Sequence, residues 1–152
     1  MKLESMKVAL VAAPLLAAAG HSSMCWAHNA GATLDARGNL VSATGLAQVT
    51  CFDDGSGEPH HLFTQIRDSS PPVDGLLLSI QLLKGNKAIN STDPISGDPD
   101  YSPGVSLDGG PGVYYMMVNK TGAGPRTFDV IWHCRTSANI HTGTSIRVLQ
   151  FQ

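Results

Sequence analysis

Charge is scarce in this chain: Asp, Glu, Lys and Arg together make up 14% of it, with no stripe of lysine or arginine anywhere. Nucleic acid and anionic lipid are therefore excluded as expected partners, because both are recognised through clustered cations. Aromatic residues are also few, at 6%, which leaves little for a polymer-binding face. Beyond the first thirty residues no apolar run approaches the ~20 residues that a membrane helix needs. There is no Gly-x-Ser-x-Gly elbow, no His-Glu-x-x-His pair and no phosphate-binding loop, so the common enzyme signatures are missing. Long stretches of helical periodicity are missing as well.

Cysteine is sparse too, with three in 152 residues, and the first lies in a segment of its own. Lys2 and Lys7 precede the apolar run Val8 to Ala19, which is too short to span a bilayer, and small residues follow it. That order is the order of a secretory signal peptide. Cys25-Trp26-Ala27 fits the small-x-small cleavage pattern, so residues 1–27 are expected to leave and 28–152 to remain as one domain. A second cut, after Gly20, would start the chain at His21 and keep Cys25. The first is preferred because it leaves no unpaired thiol in an oxidising compartment. Met24 before Cys25 is too bulky for a lipidation box. The 125 residues that remain carry 8 Lys and Arg against 11 Asp and Glu, once Lys2, Lys7 and Glu4 are gone. Two cysteines, Cys51 and Cys134, are left, and an even number in an exported chain points to a disulfide.

What the chain does have is evenly spread glycine (16) and proline (9), with short β-branched and aromatic runs between them. Such punctuation predicts many short strands. Ala47, Val49 and Cys51 share one face of the run 45–52, and Phe128, Val130, Trp132 and Cys134 share one face of the run 127–134. Both sulfurs are thus expected to point inward and to join across the core. Leu76 to Leu83 reads as a central strand buried on both sides. Tyr114-Tyr-Met-Met-Val118 alternates, so half of it is core. Residues 90–112 read as one long irregular region, with a short strand possible at 105–107. The expectation is an all-β fold, an antiparallel β-sandwich of about seven strands with one inter-sheet disulfide. The pattern resembles the immunoglobulin sandwich, though Trp132 sits two residues before the second cysteine, where the antibody motif has tyrosine.

Five histidines survive the expected cleavage: His28, His60, His61, His133 and His141. A chain opening with histidine offers its α-amine and its imidazole Nδ1 to one metal ion. That arrangement suits Cu(II), which favours nitrogen donors in a tetragonal plane. One more imidazole completes a T-shaped set, and the favoured partners are His133, on a strand and facing away from the core, and His141, on the following loop. Asp129 shares the outward face of His133 and is expected to orient an imidazole ligand. His60-His61 reads as a strand edge beside a turn. The acidic loops (Asp53, Asp54 and Glu58; Asp93, Asp98, Asp100 and Asp108) carry oxygen ligands that suit Ca²⁺, but Asp-Gly and Asp-Pro pairs make turns without any metal.

An N-terminal histidine on such a sandwich resembles the periplasmic copper carriers whose mature chain opens with histidine. The resemblance implies an exported, non-enzymatic binding protein of the periplasm or the extracellular space, with copper as its ligand through His28, His141 and His133. The alternative is a structural or adhesive module of the cell envelope whose partner is another envelope protein and which holds no metal. A copper-dependent monooxygenase, which also uses an N-terminal histidine, is the one enzyme class the pattern brings up.

Overall fold

The computed structural model describes residues 28–152. The expected signal segment, 1–27, lies outside the described residues. Nine strands form in chain order: β1 (His28–Leu34), β2 (Thr44–Phe52), β3 (His61–Asp68), β4 (Leu78–Lys84), β5 (Lys87–Thr92), β6 (Val105–Asp108), β7 (Gly112–Lys120), β8 (Arg126–Arg135) and β9 (Gly143–Phe151). They make two antiparallel sheets, one of four strands in the order β1-β8-β3-β6 and one of five in the order β5-β4-β7-β2-β9. No helix among the described residues is long and apolar enough to cross a membrane.

Period-two alternation accounts for the layering. Leu62 and Ile66 on β3 and Phe128, Val130 and Trp132 on β8 face inward from the four-stranded sheet. Val49, Leu78, Ile80, Leu82, Tyr114, Met116 and Val118 answer from the other. Tyr115, the neighbour of Tyr114, is turned outward and exposed. Cys51 on β2 and Cys134 on β8 are joined, with Cα atoms 5.5 Å apart, so the bridge ties the two sheets together. This is the inward-facing pair that the alternation called for.

The count of nine strands exceeds the expected seven, and the excess lies at sheet edges. β1 and β5 are edge strands with little apolar alternation, and their pairing rests on backbone hydrogen bonds. β5 follows β4 through a two-residue turn, in which Gly85 at φ 57° takes the left-handed position a tight hairpin needs. The long irregular region shrinks accordingly to 93–104. β4 is central, between β5 and β7, but only Leu78, Ile80 and Leu82 are fully buried; Leu77 and Leu83 are half-buried, because no second layer covers that face.

Two buried ion pairs pin the loops at one end. Lys120 Nζ donates to Asp35 Oδ2 at 2.9 Å, with both side chains fully buried. Arg126 Nη1 donates to Asp68 Oδ2 at 3.3 Å, and Asp68 also accepts from Ser70 N and Ser96 Oγ. The carboxylates of the 53–58 loop act as turn staples: Asp53 Oδ1 accepts from Gly55 N and Gly57 N, and Asp54 Oδ1 accepts from Ser56 N. Between the edge strands β1 and β9 the small residues Ala30, Ala32, Gly45 and Ala47 leave an apolar cleft of about 250 Å³.

Candidate metal centre

Three elements converge at the end of the four-stranded sheet where β1 starts and β8 finishes. Because β8 alternates, Trp132 and Cys134 point into the core and His133 between them points to the outer face. β1 pairs antiparallel with β8 so that His28 stands opposite Trp132, while β3 on the other side places Phe63 opposite His133. The chain leaving β8 then folds back. Thr136 organises this loop, its N–H donating to Ile140 O and its Oγ1 accepting from Ala138 N and Ile140 N, with Asn139 in the left-handed region at φ 61°. The return brings His141 into a bridge with Arg135, against the face of His133.

The result puts the rings of the three histidines named from the sequence in one neighbourhood, with His133 between the other two, but their nitrogen atoms do not all lie within 4.8 Å of one another. The His133 and His141 ring centroids are 4.2 Å apart, and those of His28 and His133 are 6.2 Å apart. His28 also lies 6.0 Å from the Trp132 ring, and Phe63 stacks on the other side of His133 at 6.4 Å, nearly parallel. His133 therefore faces away from the core, as its place in the alternation requires, and is nevertheless buried, at 5% exposure. Its neighbours, and not a second sheet, cover it.

Burial and neighbouring charge favour the neutral form of His133 and His141. His133 is pushed down to about 4, first by burial and then by the positive charges available on His141, Arg135 and His28. His141 is lowered by burial, then by Arg135 and His28. Arg135 stands on the same outward face two residues beyond His133, its guanidinium 4.3 Å above the Phe63 ring. A neutral imidazole keeps a nitrogen lone pair, the form a metal requires. His28 Nδ1, His133 Nδ1 and Trp132 Nε1 are buried and make no hydrogen bond among the described residues. A buried polar atom left so costs about 1–3 kcal/mol, so three in one contact group ask for an explanation.

Asp129 does not serve this group. It stands opposite Arg67 in the sheet and its Oδ2 accepts from Arg67 Nη2 at 2.7 Å and Ser69 Oγ at 2.5 Å, so the expected orienting role is corrected. Phe63 and Arg135, in contrast, were not singled out from the sequence. Arg135 could have been found from β8 alone, as the next outward residue after His133. Phe63 needed the β3–β8 register, which alternation within one strand does not contain. No family model, curated protein or solved structure matches this chain.

Proposed function

We propose that this chain is an exported immunoglobulin-like sandwich that binds Cu(II) through His28, His133 and His141, as a carrier or store and not as an enzyme. The observation that carries the reading is the proximity of these three rings, from β1, β8 and the 136–142 loop, with His133 beside both others and the buried Nδ1 atoms of His28 and His133 without a hydrogen-bond partner among the described residues. Removal of residues 1–27 would add the α-amine of His28 to the set, and the Cys51–Cys134 bridge fits the oxidising compartment such a cut implies.

The choice of metal follows from the donors. All are nitrogen, none is a carboxylate, and Arg135 opposes any cation as it opposes a proton. Binding must then rest on donor strength, and among the divalent first-row ions copper gains most from nitrogen ligands. A copper titration of the exported protein, followed by electron paramagnetic resonance, tests this. One Cu(II) per chain with nitrogen hyperfine structure is expected, together with its loss when His28 is replaced by alanine. Binding unchanged by that substitution would overturn the reading.

A second reading, an envelope interaction module, draws on a different observation. β9 is an edge strand with Ile146, Val148 and Phe151 exposed beside the β1–β9 cleft, Val148 at 65%. An apolar sheet edge of this kind suits a protein partner, and a chain that binds no copper yet associates through β9 would favour it.

A further inference from the structure

We propose that His60, His61 and Asp108 form a second and independent site for a divalent transition-metal ion of zinc type. The three lie one strand further along the same sheet from the His133 group, and His61 stands directly opposite Arg135, whose other neighbour is His141. β3 and β6 pair antiparallel so that His61 stands directly opposite Asp108, and His60 immediately precedes the strand. One ligand atom from each residue can be chosen so that all lie within 4.8 Å of one another. His60 Nδ1 is 3.4 Å from His61 Nδ1 and 3.5 Å from Asp108 Oδ1.

Those separations carry the argument. A four-coordinate ion with bonds of about 2.0–2.1 Å holds neighbouring ligand atoms about 3.3–3.4 Å apart. His60 Nδ1 already stands at close to that spacing from both partners. The rings of His60 and His61 are nearly perpendicular, at 85°, and do not stack, so nitrogen meets nitrogen edge-on. The backbone at His60 is fixed on two sides: its N–H donates to Arg135 O at 2.7 Å, and its carbonyl accepts from Gly109 N at 3.2 Å and Gly110 N at 2.9 Å. The last two bonds tie His60 to the turn that follows Asp108, so two of the three donors ride on one braced piece of chain.

Zinc fits this donor set for reasons that separate it from the first site. Two imidazoles and one carboxylate make a mixed nitrogen and oxygen set with one negative charge, which offsets the ion's own. Three protein ligands leave a fourth position open, and the side chains of His60 and Asp108 are 51% and 66% exposed, so water can reach it. His61 is buried and held below its ordinary range, mainly by that burial, which leaves it neutral and able to donate its lone pair. Without metal, a proton shared between the two Nδ1 atoms and the carboxylate accounts for the same contacts, and a metal ion would replace that proton.

The test uses the exported protein carrying His28→Ala, which removes the N-terminal chelate and leaves this cluster untouched. Calorimetric titration with Zn²⁺ at pH 7.5 should give one equivalent bound, and Co²⁺ should give the visible absorption of a low-symmetry four-coordinate site. Asp108→Asn and His60→Asn change exposed side chains, so both should keep the parent urea midpoint while zinc affinity falls at least tenfold. Absence of zinc binding by the His28→Ala protein, or parental affinity retained in either variant, would overturn the proposal. Neither result bears on the copper reading, whose test is copper binding with and without His28.

Discussion

Acid should weaken this fold well above the range in which carboxylates titrate, and His133 should be a main cause. In the folded chain its imidazole titrates near 4, against an ordinary value of 6.5, because it is buried beside His141, Arg135 and His28. The folded state therefore binds fewer protons than the unfolded state between those two values. Stability from this group is fully present above pH 6.5 and is lost as pH falls toward 4. At about 1.4 kcal/mol per pH unit, the loss is roughly 2 kcal/mol by pH 5 and about 3 kcal/mol by pH 4. His141 and His61 are lowered too and add to the same trend. Asp93, raised by burial, works in the opposite direction. The variant that isolates His133 is His133→Leu, which is similar in volume, does not titrate and removes a ring nitrogen, Nδ1, that has no hydrogen bond among the described residues. Urea melts in the presence of a chelator, followed by tryptophan fluorescence from pH 7.5 to 5.0, provide the measurement. With a urea slope of about 2 kcal/mol per molar, the parent midpoint should fall about 1 M further than the variant's over that range. Equal falls in the two proteins would refute the assignment of the acid sensitivity to His133.

Three other outcomes follow from the packing. Arg126→Met removes the counter-charge of a buried carboxylate, so urea denaturation should show a loss of about 3–5 kcal/mol. Replacing both Cys51 and Cys134 by alanine opens a loop of 83 residues, and the same assay should register about 2–5 kcal/mol less stability. Ile80→Ala empties a fully buried position on β4 and should cost about 2–5 kcal/mol, read as a fall in thermal midpoint without a change in the folded circular dichroism spectrum.

Much of the sandwich was legible because its core strands alternate. Residues 45–52 and 127–134 announced their inward faces, and with them the pairing of the cysteines and the outward direction of His133. What the sequence left unsaid concerns relations between strands. The segment 87–92 has a single large apolar residue, Ile89, and becomes a strand because β4 offers it hydrogen bonds across a tight turn. The leucine run around residue 80 carries Leu77 and Leu83 on its second face beside Ser79 and Gln81, yet that face stays half-open, since a few leucines alone do not say whether a second layer exists. Asp129 shares a face with His133 but stands four residues away and opposite Arg67, a cross-strand partner stronger than any imidazole at that distance. His60 and His61 read as a turn edge because Asp108, their neighbour in space, lay inside what looked like a long loop. Register, more than periodicity, decides which side chains meet.

His133 and Cys134 are consecutive residues, one turned to the outer surface and the other crosslinked through the core to the opposite layer. The imidazole is thus mounted on the most firmly anchored step of its strand. On the copper reading, the chain acquires its grip on the ion only after oxidation has set that step. On the same reading, a chain whose thiols are still reduced would compete poorly for that ion.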